Sequence, residues 1–343
     1  MVRLSDFDYD LPEELIAQTP LDDRASSRLL HLDPKTGDIA HCHFRDVVNI
    51  LEAGDVLVLN NTRVNAWRFK GHKSTGGEVE ILALKEIQPG VFESLVKPAR
   101  RLKPGATFSL GNGVTGEILA EGEEPTRIVR LTVESGDLHA TLATIGEMPL
   151  PPYITEKLSD SERYQTVFSE SPGSAAAPTA GLHFTPEILS ALETKGVKVA
   201  TVTLHVGIDT FRPIQVDDVS EHVMHGEVCE ISPETADLIN GSKGRIIAVG
   251  TTAVRTLETF AEQKGVVSSG NRESKIFITP GHEFKIVDGM FTNFHLPKTT
   301  MLLMISALAG KELIFEAYRQ AVELRYRFLS FGDSMLLLKN RRI

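Results

Sequence analysis

The sequence has few cysteines, no long apolar run and no excess of positive charge, and each absence excludes a class of protein. Its 343 residues contain only two cysteines, Cys42 and Cys229. Two thiols cannot form the disulfide framework of a small secreted protein or a four-cysteine zinc site. The longest apolar run, residues 301–309, is too short to cross a bilayer, so a buried helix and no membrane partner are expected.

The first residues also lack the pattern of a signal peptide, because five acidic residues occur by Glu14 and no apolar run precedes them. A cytoplasmic location is therefore expected. The whole chain carries 36 basic and 46 acidic residues, a formal net charge of −10. A protein-wide basic field for nucleic acid is absent, and a nucleic-acid partner would need a local patch.

One local basic patch lies in VKPARRLKPG, and a shorter one ends the chain in LKNRRI. Both are typical of a solvated hairpin and tail, and both would also suit contact with phosphates. The sequence alone leaves these alternatives open. The residues of the first patch are Lys97, Arg100, Arg101 and Lys103.

Several catalytic signatures are missing as well. No GxGxxG follows a strand, and GxxxxGK[ST], GxSxG, HExxH and CxxC do not occur. The sequence therefore gives no motif support for a dinucleotide-binding protein, a P-loop nucleotide-binding protein or a serine hydrolase. The pair His41 and His43 keeps a metal-dependent hydrolase as an alternative, although zinc sites usually need three protein ligands. No metal is expected.

The pattern of elements predicts two domains: an α/β main domain with a largely parallel sheet, and an inserted all-β barrel. The barrel is expected over residues 66–151, and the main domain over residues 1–65 and 152–343. The barrel part has strand patterns at the spacing typical of a small barrel. They cover residues 67–71, 78–86, 91–97, 106–110, 114–121 and 127–134.

After a proline-rich connector, MPLPPYI, strand and helix patterns alternate, which favours a parallel sheet covered on both faces. The predicted strands are residues 197–206, 227–232, 245–250 and 275–279. The predicted helices are residues 185–196, 232–242, 251–265, 299–310 and 311–326. Two shorter helices are expected earlier, in PEELIAQ and FRDVVNILEAG.

The stretch APTAGLHFTPE has almost no bulky side chains before His183, and a helix follows it. Thr185 is a typical N-cap and Pro186 a typical first helical residue. A bare backbone can approach a ligand closely, and Gly181 can adopt positive φ. The same stretch is equally typical of a tight buried turn with a packed histidine.

A second strand–glycine–helix junction occurs in RIIAVGTTAVRTLET, where Gly250 precedes Thr251, Thr252 and Arg255. Open α/β sheets bind ligands at such junctions. Three further histidines fall at element ends, and together with His183 they suggest one polar cleft with acid–base chemistry. They are His205, His225 and His295.

Ten blocks, in order from residue 4 to 333, resemble the S-adenosylmethionine:tRNA ribosyltransferase-isomerases, enzymes of queuosine biosynthesis. The blocks are DFDYDLPEELIAQTP, GDVLVLNNTRV, MPLPPYI, RYQTVF, AAAPTAGLHFTPEIL, VTLHVGIDTF, HVMHGE, AVGTTAVRTLET, FTNFHLPKTTML and RFLSFGD. The resemblance implies an α/β domain with an inserted barrel. It also implies transfer and isomerisation of the ribosyl part of S-adenosylmethionine onto 7-aminomethyl-7-deazaguanine at the tRNA wobble position. Epoxyqueuosine forms, and adenine and methionine leave.

The resemblance further implies that no metal or redox cofactor is needed and that S-adenosylmethionine is the ribosyl-donor substrate. A monomer is expected. His183 is the leading acid–base candidate, with His205 and His295 as partners. The four basic residues of the barrel patch are expected to bind tRNA, and Tyr164, Phe184 and Phe294 are candidates for base stacking. Donor binding is assigned to Thr179, Ala180, Gly181, Thr251, Thr252 and Arg255.

The chain departs from the family pattern at Ile208, Asp209 and Phe331. Asp209 adds a charge beside the His205 loop, and Phe331 lacks the hydroxyl of the tyrosine that is frequent there. A non-catalytic RNA-binding protein that uses the barrel is a further alternative, which the net negative charge and the histidines argue against.

Overall fold

A computed structural model describes residues 2–65, 67–122, 125–207, 214 and 216–338. Its helices are α1 (Val47–Ile50), α2 (Leu138–Ile145), α3 (Pro186–Lys195), α4 (Pro233–Asn240), α5 (Thr251–Thr259), α6 (Thr300–Ala309) and α7 (Lys311–Glu323). The strands are β1 (Arg28–Leu32), β2 (Ile39–His43), β3 (Val56–Asn60), β4 (Thr62–Val64), β5 (Arg68–Lys73), β6 (Glu78–Gln88), β7 (Val91–Lys97), β8 (Thr107–Gly111), β9 (Val114–Glu121), β10 (Arg127–Val133), β11 (Ser171–Ser174), β12 (Lys198–Leu204), β13 (Glu227–Ile231), β14 (Ile246–Val249), β15 (Ala261–Gln263), β16 (Val266–Val267), β17 (Gly270–Ser274), β18 (Gly289–Asn293) and β19 (Ser334–Leu338).

The chain divides into two compact units. The main unit comprises Met1–Thr62, Pro152–Ser171 and Ala177–Ile343, and the barrel unit comprises Arg63–Pro151 and Pro172–Ala176. In the described part of the chain, no helix has the length and apolar character needed to cross a membrane. The basic stretch at residues 339–343 and the departures at residues 208 and 209 lie outside the described residues.

The main unit is built on a nine-stranded mixed sheet of order β17-β13-β12-β3-β14-β18-β19-β1-β2. The four central strands, β12, β3, β14 and β18, run parallel to one another, and β1 runs parallel to β19. The other four pairings are antiparallel. Parallel pairs are therefore limited to the centre and to β1 with β19, and the sheet as a whole is mixed.

The central strands are short apolar runs because both of their faces are covered. All five residues of β3 and all four of β14 are buried. Leu57, Leu59 and Ile247 belong to one core cluster, which also contains Ile188 of α3 and Val47 of α1. Continuous burial of this kind is characteristic of parallel strands under helices. The sheet is therefore a rigid support for the loops at its edges.

The barrel unit contains a closed barrel of order β10-β7-β6-β5-β8-β9. Apolar side chains alternate along its strands and fill the interior, among them Ile81, Phe92 and Val129. All six strands that the sequence predicts in this region are present, because period-two patterns separated by glycine turns are strong local signals. Gly116 leaves room for the ring of Phe108, which a Cβ at that position would approach to 2.3 Å.

Three predicted elements differ in the structure. PEELIAQ forms only a 3₁₀ turn, Glu13–Leu15. Helix α5 ends at Thr259 because the following residues form the hairpin β15–β16, whose turn contains Gly265 at φ +75°. Residues 275–279, predicted as a strand, follow β17 without pairing, and Ile276 and Ile278 instead line a cavity described below.

Candidate functional site

Several polar residues that the sequence singles out lie at the end of the main sheet where its parallel strands terminate. The four parallel strands end there, at Asn60, Leu204, Val249 and Asn293. Strand β19 runs opposite to β18 and starts at the same edge, since Ser334 pairs with Asn293. Ligands of open α/β proteins bind at the carboxyl ends of the strands. This edge is therefore the candidate site.

His183 lies in a 3₁₀ turn, Thr179–His183, which contacts β18 through the hydrogen bond of Thr179 to Asn293. It is 5 % exposed, and its ring stacks on Phe44 with centroids 5.1 Å apart. Gly181 does not adopt positive φ in this turn. A Cβ there would lie 2.7 Å from the ring of Phe168, so the missing side chain serves close packing.

Hydrogen bonds fix the tautomer of His183. Thr179 Oγ1 donates to Asn293 Oδ1 (2.9 Å), which orients the amide so that Nδ2 faces His183 Nε2 at 3.5 Å. The hydroxyl of Ser27 donates to the Arg24 carbonyl, and its oxygen lies 2.8 Å from His183 Nδ1. On these contacts we assign the proton to Nδ1, which donates to Ser27, and the lone pair to Nε2, which faces Asn293.

The electrostatic surroundings keep this imidazole neutral. Burial, followed by the positive charges of Arg24 and Arg327, lowers the pKa of His183 to about 3. At neutral pH the ring can accept a proton at Nε2, but it holds no second proton to donate. Of the two roles in acid–base chemistry, the geometry thus supports that of proton acceptor.

A first cavity opens beside His183. Arg24 Nη1 donates to the Gln165 carbonyl at 2.9 Å, and Arg163 Nη1 donates to the Asp22 carbonyl at 3.2 Å. Two guanidinium groups therefore make this wall cationic while they hold the surrounding loops. Phe331, one of the departures from the family pattern, packs edge-on against Tyr164. The lining residues are Pro20, Leu21, Arg24, Ser27, Arg163, Leu182, His183, Ser330, Phe331 and Gly332.

The other two predicted catalytic histidines line neither this cavity nor the second one. His205 follows β12, and its Nδ1 lies 2.9 Å from Thr62 Oγ1; burial lowers its pKa. The Nε2 atom of His295 lies 2.6 Å from Thr292 Oγ1, and its backbone N–H donates to Tyr318. Burial lowers the pKa of His295 to about 3. The two cavities thus do not unite the four histidines in one cleft.

The second cavity lies where β14 passes into α5. Gly250 has φ +88° and turns the chain, and Thr251 begins the helix. Apolar side chains form most of the wall, and Glu227 and Arg255 form a buried ion pair within it, 2 % and 6 % exposed. The lining residues are Met224, Glu227, Thr251, Thr252, Arg255, Ile276, Phe277, Ile278, Thr300, Met301 and Met304.

Glu227 ties several predicted residues together. Its Oε1 accepts from the Gly207 N–H at 2.9 Å and lies 3.5 Å from His225 Nε2. Burial by itself raises the pKa of Glu227, but the nearby His225 ring and the charge of Arg255 outweigh burial and leave the pKa below its usual value. Glu227 is therefore ionised at neutral pH, and Arg255 already has a carboxylate partner.

Sequence analysis missed Ser27, Asn293 and Glu227. Ser27 and Asn293 stand 156 and 110 residues from His183 in the chain, so no local spacing could reveal them. Glu227 does carry a weak signal, because an acidic residue begins a strand whose alternate positions are buried. Buried charges are rare unless they are paired.

Thr179, Ala180 and Gly181, which the sequence predicts to bind the donor, lie in the same turn as His183, and a Cβ on Gly250 would contact Ala180 at 3.5 Å. The turn therefore lies against the junction that leads into α5. Tyr164, Phe184 and Phe294 are all fully buried among other aromatic rings. These three rings are core residues, and in this structure none of them is exposed for stacking on a base.

On the barrel unit, the basic patch follows β7 and surrounds a 3₁₀ turn, Ala99–Arg101. All four of its cationic residues are exposed. Lys97 Nζ lies 3.8 Å from Glu80, and the ammonium group of Lys73 donates to the Arg101 carbonyl, which adds a fifth positive charge. The patch is open to solvent and could meet an anionic partner.

Metal ligation has little support in the part of the chain that the structure describes. No group of three His, Cys, Asp or Glu side chains there is arranged to hold a metal ion. His41 Nδ1 lies 2.8 Å from the Tyr326 hydroxyl, and Nε2 lies 3.2 Å from Gln320 Oε1. The alternative of a metal-dependent hydrolase therefore finds no ligand set among these residues.

Fold and site together define a class: a mixed-sheet α/β protein with two cavities near the carboxyl ends of its strands, joined to a closed β-barrel. The chain matches a family model described as queuosine biosynthesis protein over residues 4–337. It belongs to that family.

Two relatives bear the name S-adenosylmethionine:tRNA ribosyltransferase-isomerase. The protein from Acetivibrio thermocellus is 52 % identical, and the one from Staphylococcus aureus is 51 % identical; each match covers 98 % of this chain and all of the relative. A crystal structure of S-adenosylmethionine tRNA ribosyltransferase from Thermotoga maritima has a TM-score of 0.56 and 37 % identity. That match covers 97 % of this chain and all of the other.

Proposed function

We propose that this protein is an S-adenosylmethionine:tRNA ribosyltransferase-isomerase that acts in queuosine biosynthesis. The observation that carries the proposal is the identity of 52 % across 98 % of the chain with a relative of that name. At this identity and coverage, both the main sheet and the barrel have counterparts in the relative. The activity therefore applies to the whole chain.

In this reaction the ribosyl part of S-adenosylmethionine moves to the aminomethyl group of 7-aminomethyl-7-deazaguanine in the tRNA wobble position. Adenine and methionine are released, and the transferred part rearranges into the epoxycyclopentanediol of epoxyqueuosine. The donor is a sulfonium cation, so a neutral base beside it can take a proton from an adjacent carbon. S-adenosylmethionine is consumed as a substrate, and we propose no other cofactor.

We assign the base to His183, with its lone pair at Nε2. The orientation of the imidazole supports this role, since a general base must be unprotonated and oriented before the reaction, whereas a pKa of about 3 makes the ring a weak base as it stands. Binding of the donor is assigned to the 179–181 turn and to Thr251 and Thr252 at the start of α5. Arg255 acts there through its ion pair with Glu227, which holds the wall of the second cavity.

His205 and His295 are proposed as partners of His183 that act through the backbone around the site. His205 is the residue directly after β12, and His295 lies two residues after β18. Their hydrogen bonds to Thr62 and Thr292 support a positioning role. Loss of either imidazole would loosen a strand end beside a cavity.

The basic patch around Ala99–Arg101 is proposed to bind the tRNA phosphates. Its exposure and its five neighbouring cations support this role, since phosphate contacts supply most of the affinity for a folded nucleic acid.

We also propose that the barrel, residues 66–151, is an inserted domain. The protein is further proposed to act as a monomer. We also propose a cytoplasmic location, which the two unpaired cysteines support because thiols stay reduced there.

The test is an incubation of the purified protein with S-adenosylmethionine and tRNA that carries the aminomethyl base. We expect free adenine to appear in proportion to the tRNA added. Adenine release that is independent of tRNA would contradict the acceptor half of the proposal, and absence of adenine would contradict the donor half. tRNA with an unmodified guanine at the wobble position is the matched control.

A further inference from the structure

Arg24 lies in a 3₁₀ turn just before β1, and its guanidinium group holds two other segments of the chain. Nη1 donates to the Gln165 carbonyl at 2.9 Å, and Nη2 donates to two further carbonyls of the segment 162–165, at 3.3 Å each. Nη1 also lies 3.5 Å from the carbonyl of Leu182, the residue before His183. One planar fork therefore links this segment to the His183 turn.

The backbone of Arg24 holds the other side of the His183 contact. Its carbonyl accepts the hydroxyl hydrogen of Ser27 at 3.1 Å, so the Ser27 oxygen offers a lone pair to His183 Nδ1, 2.8 Å away. The side chain of Arg24 meanwhile contacts the carbonyl one residue before the imidazole. A displacement of Arg24 therefore changes the contact between Ser27 and His183 from both ends.

The segment held by Arg24 also packs directly on the His183 turn. Residues 161–164 contact the turn, and a Cβ at Gly181 would lie 3.0 Å from Thr166 Cγ2. Because protein interiors are close-packed, a shift of this segment is transmitted to the imidazole. A misplacement of about 1 Å at a reacting group can lower a rate by about 100-fold.

The charge of Arg24 acts on the imidazole as well. Burial is the main cause of the low pKa of His183, and the positive charges of Arg24 and Arg327 lower it further. These charges disfavour the imidazolium form, so the ring keeps one proton. The contact with Ser27 can then select which nitrogen carries that proton.

We propose that Arg24 is a positioning residue for the reaction, which sets the contact between Ser27 and His183 and thereby decides which imidazole nitrogen holds the lone pair. Arg24 acts through His183, since its guanidinium group is directed at backbone carbonyls. The inference rests on the proposed function for its effect on turnover. Its effect on the tautomer does not depend on that function.

The tautomer of His183 is measured by ¹⁵N NMR of the histidine rings at pH 7 without substrates, and His183→Gln assigns the signal. The wild-type protein is expected to show one neutral tautomer, with the proton on Nδ1. Arg24→Gln removes the charge and the fork, and Arg24→Lys keeps the charge but loses the planar fork. A second tautomer should appear in both variants.

Adenine release in the presence of S-adenosylmethionine and tRNA gives a second readout. Both Arg24 variants are expected to lower kcat about 10- to 100-fold and to change the KM for the donor less than about twofold, because orientation of the base is altered and donor binding is not. Arg45→Gln is the matched control. It removes a positive charge from an exposed pair with Asp23, beside the same turn, and should leave kcat and the tautomer unchanged.

Thermal unfolding identifies the variants that retain the fold, and Arg24→Lys carries the test if Arg24→Gln does not fold. A single Nδ1–H tautomer in the folded variants, or a kcat equal to that of the wild-type protein, would overturn the inference. A lower melting temperature with an unchanged tautomer and kcat would also overturn it, since Arg24 would then only anchor loops. Absence of adenine release by the wild-type protein would instead contradict the proposed function, and the tautomer comparison would still decide the role of Arg24.

Discussion

The Ser27 hydroxyl oxygen lies 2.8 Å from His183 Nδ1. This contact joins the residue before β1 to the turn before α3, and it makes Ser27 the acceptor for the one proton on the imidazole. The position of the lone pair at Nε2 follows from it. The assignment of His183 as a base therefore depends on a residue far away in the sequence.

Replacement of His183 by Gln is expected to lower kcat by about 100-fold or more, because a positioned base contributes at least that factor. Ser27→Ala should cause a smaller loss, since the imidazole remains but its tautomer is no longer fixed. Steady-state adenine release measures both. Ser26→Ala is the matched control, because that hydroxyl bonds to the Asp23 carbonyl outside the site. Near-normal turnover in a folded His183→Gln protein would refute the assignment.

Acid should destabilise the protein through His183. The unfolded chain protonates this histidine near pH 6.5, whereas in the folded protein its pKa is about 3. Between these values the unfolded state binds more protons, so stability is complete above pH 6.5 and falls as pH falls towards 3. The loss reaches about 1.4 kcal/mol per pH unit. Urea unfolding from pH 7 to 4 should show a shallower decline in His183→Gln; identical slopes would contradict the neutral, buried imidazole.

Glu227→Gln should destabilise the protein by about 3–5 kcal/mol, because it leaves the buried Arg255 charge without its carboxylate. Urea unfolding at pH 7 measures the loss. The double variant Glu227→Gln/Arg255→Gln removes both charges and should regain part of the stability. A loss below about 1 kcal/mol in the single variant would mean that the pair is hydrated rather than buried.

Gly181→Ala tests why the segment before His183 has so few side chains. The added Cβ would lie 2.7 Å from the Phe168 ring and 3.0 Å from Thr166 Cγ2. Overpacking of this kind costs about 1–3 kcal/mol. Thermal unfolding should show the loss, and Phe168→Leu in the same background should relieve part of it. An unchanged melting temperature would show that the turn has room, as a ligand-approach loop would.

Neutralisation of the barrel patch should weaken tRNA binding. Replacement of Lys97, Arg100, Arg101 and Lys103 by Gln is expected to raise the Kd for tRNA at least tenfold and to flatten its salt dependence. Filter binding at several salt concentrations measures both. The matched control removes the same charge from four other exposed lysines, Lys157, Lys198, Lys243 and Lys264. Equal effects of the two quadruple variants would contradict a specific patch.

The sequence is sufficient for the elements whose signals are local. The barrel strands, the N-cap at Thr185 and the junction at Gly250 all follow from periodicity or from one residue's backbone preference. The 275–279 segment has a strand pattern but lines a cavity, because tertiary packing there overrides the apolar run. The contacts of His183 with Ser27 and Asn293 depend on which strands become neighbours, which no local pattern specifies.

The central claim, transfer of the ribosyl part to the tRNA base, is tested most directly with S-adenosylmethionine labelled with ¹³C in its ribose only. After incubation with tRNA that carries the aminomethyl base, the tRNA is digested and its nucleosides are analysed by mass spectrometry. The account predicts a wobble nucleoside that has gained the five labelled carbons of the ribosyl part. A wobble nucleoside without the label, or one that has gained only a methyl group, would contradict it.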